Sequence, residues 1–171
     1  MSERRPPPQS ERPTQAPGNG GFLARGGGWV LAQSFTMLLV LAAGPLASGG
    51  QRPPWLAAVA AMLFLLGAGF GISGAWVLGR NRTIFPKPNE GSQLIRHGVY
   101  RLVRHPLYTS LTLLSLAWAA WWASGVTVVI ALAQAILLDF KSRREEAWLR
   151  ERFPDYADYA RCVRRFVPWL Y

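Results

Sequence analysis

Two short blocks hold the residues best suited to chemistry. They are Arg104-His105-Pro106-Leu107-Tyr108 and, about 40 positions later, Glu145-Glu146. With Tyr100 and Arg101 just upstream, they supply guanidinium cations, one imidazole, two phenols and a pair of carboxylates. Such a set fits a zwitterion, because an arginine takes a carboxylate and a glutamate takes an ammonium through charge-assisted hydrogen bonds. Aromatic faces beside them can hold a further cation, such as a sulfonium. Pro106 suits the first turn of a helix, whose free N–H groups point at whatever anion docks there.

For these blocks to form one site, the elements between them must fold back. Leu107–Leu138 is an uncharged run of 32 residues. As a single helix it would be about 48 Å long, well beyond a bilayer core of about 30 Å. The run therefore predicts a helical hairpin with its turn at Ser124-Gly125, after Trp118, Trp121 and Trp122. A hairpin sets its two ends side by side and so brings Arg104-His105-Pro106-Tyr108 against Glu145-Glu146. A ligand with a carboxylate, an ammonium, a sulfonium and an adenine matches that group of side chains, and S-adenosyl-L-methionine has all four.

Two further uncharged runs precede the hairpin, Trp29–Ser48 with 20 residues and Trp55–Leu78 with 24. Each is long enough to cross a membrane, and each starts at a tryptophan, a residue favoured at the interface. The expected fold is all-α, a membrane bundle of about four helices (29–48, 55–78, 107–124 and 125–140) with a C-terminal cofactor-binding cap. With four spans, 18 of the 19 lysines and arginines lie on one side and Arg52 alone on the other. Positive residues mark the cytoplasm, so both termini are expected there, in a bacterial-type plasma membrane. Residues 1–28, rich in Pro, Gly, Arg and Gln, are expected to be a disordered cytoplasmic tail, leaving 29–171 as the membrane domain.

Composition narrows the function classes. Only 16% of the residues are charged, against about 25% in soluble domains. The one cysteine, Cys162, excludes a disulfide scaffold and a cysteine-built metal site, and no metal centre is expected. The net charge of +10 could suit nucleic acid, but the basic residues flank apolar spans and no recognition fold is present. Membrane lipids are the expected macroscopic partner.

Several residues also have plain structural readings. Arg96 and Arg101 fit a snorkelling flank of a span, and His97 a solvated surface. Glu146 could pair with Arg150, and Glu145 with Lys141, as ordinary helix neighbours. The tryptophans fit an interfacial belt, and Tyr156, Tyr159 and Phe166–Tyr171 a segment packed on the membrane. Arg161, Arg164 and Arg165 on that segment suit anionic head groups. Gly67, Gly69, Gly71, Ser73 and Gly74 permit close approach by a neighbouring helix or by an acyl or prenyl chain.

The block GVYRLVRHPLY, followed by REEAWLRERFPDYADYARCVRRFVP, resembles the superfamily of isoprenylcysteine carboxyl methyltransferases and phospholipid methyltransferases. The upstream RTIFPKPNEGSQLIRHG is similar to its bacterial members. Members often carry glycine where Ser110 stands. The resemblance implies an integral-membrane enzyme with S-adenosyl-L-methionine as cofactor. It also implies that Tyr100, Arg104, His105, Pro106, Tyr108, Glu145 and Glu146 form the cofactor site, with Arg104 and His105 as catalytic candidates. The implied reaction is methyl transfer to a lipophilic acceptor of the isoprenylcysteine-carboxylate type or a related small or lipid acceptor. The alternatives are a phospholipid amine N-methyltransferase, a non-enzymatic membrane anchor or assembly protein, and a membrane reductase using NADPH. A carboxylate or thiolate acceptor needs no base, whereas an ammonium acceptor must first lose a proton. Asp139, near the end of the third apolar run, is the only charge there, so no acid or histidine within the apolar core is an obvious base, which favours the anion.

Overall fold

The computed structural model describes residues 26–79 and 93–171. The expected 1–28 tail as far as Arg25, and the upstream motif between Arg80 and Ser92, lie outside the described residues; Gly27 and Gly28, assigned to that tail, instead open the first helix. Five helices follow in order: α1 (Gly27–Leu46), α2 (Pro54–Leu78), α3 (Pro106–Trp121), α4 (Gly125–Arg152) and α5 (Tyr156–Cys162). A 3₁₀ turn, Gly98–Arg101, precedes α3. Among the described residues the chain is all-α, and the one β contact is an isolated bridge between Val103 and Arg164. Helices α1, α2 and α4 are long and apolar enough to cross a membrane.

Local chemistry sets the helix limits. Pro54 and Pro106 open α2 and α3, where a fixed φ and a missing N–H cost nothing. The predicted turn falls at Trp122–Ser124, and Ser124 caps α4 by accepting a hydrogen bond from the Thr127 N–H at 3.2 Å. Helix α3 has 16 residues, shorter than the expected 107–124 segment. Helix α4 has 28 and does not stop near Phe140. It runs on as one rod of about 42 Å, carrying the two glutamates on the same helix as the apolar segment.

The four long helices alternate in direction. The α1–α2 connection meets the α3–α4 turn through the Gly49 N–H, which donates to the Trp122 carbonyl at 3.2 Å. Arg52, the lone basic residue expected on that side, also belongs to this end. Its guanidinium donates to the Trp121 carbonyl at 2.8 Å and lies 3.7 Å from the Trp121 ring centroid. Trp121 is thus joined to the α1–α2 loop, and Trp118 Nε1 donates to the Leu41 carbonyl of α1.

The small residues of α2 mostly face α3. A Cβ at Gly67 would come within 3.0 Å of Leu114, at Gly71 within 2.5 Å of Ser110 Oγ, and at Gly74 within 3.1 Å of Pro106. Ser110 fills its small-residue position by donating to the Gly67 carbonyl at 2.6 Å. This face is therefore occupied by a helix, which corrects the idea that an acyl or prenyl chain lies along Gly67, Gly71 and Gly74. Gly69 points into open space.

Candidate active site

The cavity that matters is bounded by α1, α3, α4, α5 and the strand-free segment 93–105, and has a volume of about 470 Å³. This is within the usual range for a small-molecule site. Tyr100, Arg104, His105, Pro106, Tyr108 and Glu145 all line it. Glu146, their expected companion, does not. Adjacent helical positions diverge by about 100°, so Glu145 turns to the cavity and Glu146 turns into the protein.

Glu146 is completely buried (0% exposed) and is the hub of an ion cluster. Arg104 Nε and Nη2 each approach its Oε1 at 2.9 Å, Arg165 Nε at 3.1 Å and His105 Nε2 at 3.2 Å. Arg150 donates to its Oε2 at 3.1 Å. Burial alone would push the Glu146 carboxyl up. Hydrogen bonds from His105 and Arg165, with the electrostatic influence of the neighbouring Arg104, outweigh it and hold the carboxyl well below the usual range. The Arg150 pair expected from helix spacing is present, but it is one contact among four.

Arg104 is equally constrained. Its Nη1 also donates to the Ala160 and Val163 carbonyls at the end of α5. Its backbone N–H donates to the Arg164 carbonyl at 2.8 Å, and that of His105 to the Arg165 carbonyl at 3.1 Å. The C-terminal segment is therefore threaded onto the RHP block. Arg165 corrects the sequence reading. Rather than meeting lipid, it turns inward (side chain 17% exposed) to Glu146 and to Asp139 Oδ1 at 2.9 Å. Tyr171 closes the same corner, its hydroxyl donating to Asp139 at 3.0 Å. Arg161 stays exposed and pairs with Asp158.

Glu145 is held differently. The Tyr108 hydroxyl donates to its Oε2 at 2.9 Å, and His105 Nδ1 lies 3.6 Å away. The His105 and Tyr108 rings are parallel, with centroids 5.3 Å apart. The pairing of Glu145 with Lys141 expected from helix spacing is replaced by another contact, because Lys141 Nζ donates to Gln33 Oε1 on α1 at 2.6 Å.

Tyr156 and Tyr159 were expected to pack against the membrane, yet both line the cavity. The Tyr159 hydroxyl donates to the Tyr100 carbonyl at 2.6 Å and locks α5 to the 3₁₀ turn. Gly98 permits that turn: its φ is +60°, and a Cβ there would meet Val77 at 2.8 Å. Tyr156 is 1% exposed, and its hydroxyl has no hydrogen-bond partner among the described residues. It is a buried polar atom left unsatisfied within the protein, on a tyrosine that lines the cavity. Burial pushes the phenols of Tyr100, Tyr156 and Tyr159 up, keeping them neutral donors. The FPDY sequence before α5 was the available signal for Tyr156, since it extends the second motif.

Residues 55–156 match the family model described as phospholipid methyltransferase. The chain is 35% identical over 113 residues to the cobalt-zinc-cadmium resistance protein CzcN of Cupriavidus metallidurans, covering 66% of this chain and 52% of that protein. It is 29% identical over 154 residues to a probable protein-S-isoprenylcysteine O-methyltransferase of Oryza sativa subsp. indica, covering 83% and 76%. It is also 29% identical over 147 residues to protein-S-isoprenylcysteine O-methyltransferase A of Arabidopsis thaliana, covering 83% and 74%. The chain spans about half the length of the metal-resistance relatives. The family match covers more than half of the chain and includes both the α2–α4 bundle and the Glu145 site. With its three apolar helices, the protein is an integral membrane member of the phospholipid methyltransferase family, in the superfamily that includes the isoprenylcysteine carboxyl methyltransferases.

Proposed function

We propose that the protein transfers a methyl group from S-adenosyl-L-methionine to a lipophilic acceptor drawn from the bilayer. The observation that carries this reading is the cavity wall itself. Glu145 offers a carboxylate for an ammonium, the orphaned Tyr156 hydroxyl offers a hydrogen bond, and Tyr100, Tyr108 and Phe153 offer aromatic faces for an adenine or a sulfonium. The set thus suits the ammonium, the sulfonium and the adenine of the cofactor. When bound, the cofactor supplies an electrophilic methyl on a sulfonium.

The chain's own residues bind and orient. Glu145, steadied by Tyr108 and His105, holds the ammonium end. Glu146 acts through Arg104, His105 and Arg165 as a positioning residue, keeping α4, the RHP block and the C-terminal segment in register. Arg104 has most of its donors committed within the protein and contributes mainly to that register. Methyl transfer depends above all on attack geometry, so rigid placement is the main demand on the site.

The charge asymmetry supports four crossings, with α3 as a short fourth span and both termini cytoplasmic. Reporter fusions at Gln51 and Ser124 should read outside and at Tyr171 inside, and an external Tyr171 would overturn this topology. The activity is tested by incubating purified protein and native lipid extract with methyl-labelled cofactor. A labelled lipid that disappears with Glu145→Gln supports the reading. Absence of both label and S-adenosylhomocysteine binding refutes it, as would be expected of a membrane anchor.

A further inference from the structure

Lys141 is the charged group on the cavity wall that this account leaves unused. It is 3% exposed and lines the cavity together with Gln33, Ser34 and Glu145. Its Nζ donates to the neutral Gln33 Oε1 at 2.6 Å and lies 5.2 Å from the Tyr108 ring centroid. Among the described residues no carboxylate comes within 4.0 Å of it, whereas Arg104 has one and Arg165 has two. An ammonium has three donors, and Gln33 takes one of them. Glu145, one helical turn further along α4, acts on it only through space, and a buried cation with no carboxylate in contact is costly unless something supplies the opposite charge.

Position along α4 indicates what supplies it. Lys141 lies one helical turn before Glu145, on the side of the apolar segment, and its partner comes from an apolar helix, α1. Val30, Gln33 and Ser34 of α1, with Leu111 of α3, form the cavity wall there. Tyr108, Tyr156 and Tyr159 line the same cavity. The Lys141 ammonium thus shares its wall with the polar Gln33 and Ser34 and with the apolar side chains of Val30 and Leu111.

We propose that Lys141, fixed by Gln33, is the specificity-determining residue for the acceptor, binding the anionic head of a lipophilic molecule and disfavouring a cationic amine. This rests on the reading of the cavity as a methyl-transfer site. A carboxylate that gains a methyl forms one C–O bond while the donor's S–C bond breaks and its electron pair stays on sulfur. The acceptor passes from anion to neutral ester, and no proton has to be removed. The neutral ester no longer attracts Lys141, which favours its release.

The test uses the full chain in neutral detergent micelles and three probes of equal tail: N-dodecanoylglycine, its primary amide, and dodecylamine. A charge-assisted contact is worth about 1.5–3 kcal/mol, so the carboxylate should bind roughly ten- to a hundredfold more tightly than the amide, and the amine should bind weakest. Lys141→Met and Gln33→Glu, which neutralises the ammonium while keeping its partner, should both erase that preference. Lys141→Arg should retain it. S-adenosylhomocysteine binding, measured in the same samples, should stay close to that of the unmodified protein. A carboxylate preference that survives Lys141→Met overturns the proposal. So does parallel loss of S-adenosylhomocysteine and carboxylate binding in both variants, which would assign Lys141 to the cofactor. If the unmodified protein binds no S-adenosylhomocysteine while the preference follows Lys141, the methyl-transfer reading fails and the anion site stands.

Discussion

Glu145→Gln and Glu146→Gln change neighbouring residues in the same way, and their effects should separate cleanly. Glu146 is fully buried against Arg104, Arg165, His105 and Arg150. Neutralising it leaves the well-buried Arg104 guanidinium without its counter-charge, while Arg165 keeps Asp139. Removing one partner of a buried ion pair costs about 3–5 kcal/mol, which for a chain of this length lowers the melting temperature by about 6–20 °C. Glu145 has a more open side chain and a single hydrogen bond, from Tyr108. Its neutralisation should barely move the melting temperature but should remove a charge-assisted contact of about 1.5–3 kcal/mol to a bound ammonium. That is roughly a ten- to hundredfold loss of S-adenosylhomocysteine affinity. The assay is thermal unfolding of detergent-purified protein followed by calorimetric titration of the same samples. Arg150→Ala is the control, since its guanidinium is 51% exposed and its pair with Glu146 is worth no more than about 1 kcal/mol. If Glu146→Gln abolishes S-adenosylhomocysteine binding with no loss of thermal stability, Glu146 is a direct ligand and the division of labour is wrong.

Tyr156→Phe deletes only an unpartnered hydroxyl, so the melting temperature should hold or rise slightly while S-adenosylhomocysteine affinity falls about two- to tenfold, one neutral hydrogen bond; unchanged affinity would show that the hydroxyl meets no ligand. Because the Glu146 carboxyl is held below its unfolded value, its stabilisation is complete above that value and is lost as pH falls toward the folded one. Thermal stability should therefore be flat down to about pH 5 and decline below about pH 4, and a Glu146→Gln variant should show a smaller decline over the same interval. Gly71→Leu should damage fold and ligand binding together, because a Cβ there would lie 2.5 Å from Ser110 Oγ, whereas Gly69→Leu faces open space and should be tolerated. Thermal unfolding of the pair distinguishes packing from a substrate path, and a stable Gly71→Leu protein would refute the packing role.

The hairpin was legible because its signals are local. A run too long for one span contains Ser124-Gly125, and Ser124 caps the next helix. The juxtaposition of Arg104, His105 and Tyr108 with the glutamates followed from that turn. Distinguishing Glu145 from Glu146 required only the 100° between helical neighbours, a signal present in the sequence but obscured by treating the pair as one unit. Arg165 was not legible in the same sense. Arg161, Arg164 and Arg165 are chemically alike, and which one turns inward depends on how the chain leaves α5 and threads onto the RHP block. Lys141 and Gln33, 108 positions apart, meet only through the packing of α1 on α4. The glycines of α2 carried both a packing and a substrate interpretation until α3 was seen against them.

The unbroken course of α4 works as a height gauge. The same rod that is anchored by its apolar half carries Lys141 and Glu145 beyond that half, and five residues separate Phe140 from Glu145, a rise of about 7.5 Å. With no hinge between anchor and site, the reacting level is fixed relative to the hydrocarbon boundary. A membrane of different thickness forces tilt or local deformation of the bilayer, and any tilt of the rod carries the site with it. Under the proposed methyl transfer, acceptors would be sorted by how far the reactive head stands from the start of its tail rather than by tail length. Turnover in vesicles should then vary with bilayer thickness even when head-group chemistry is held constant.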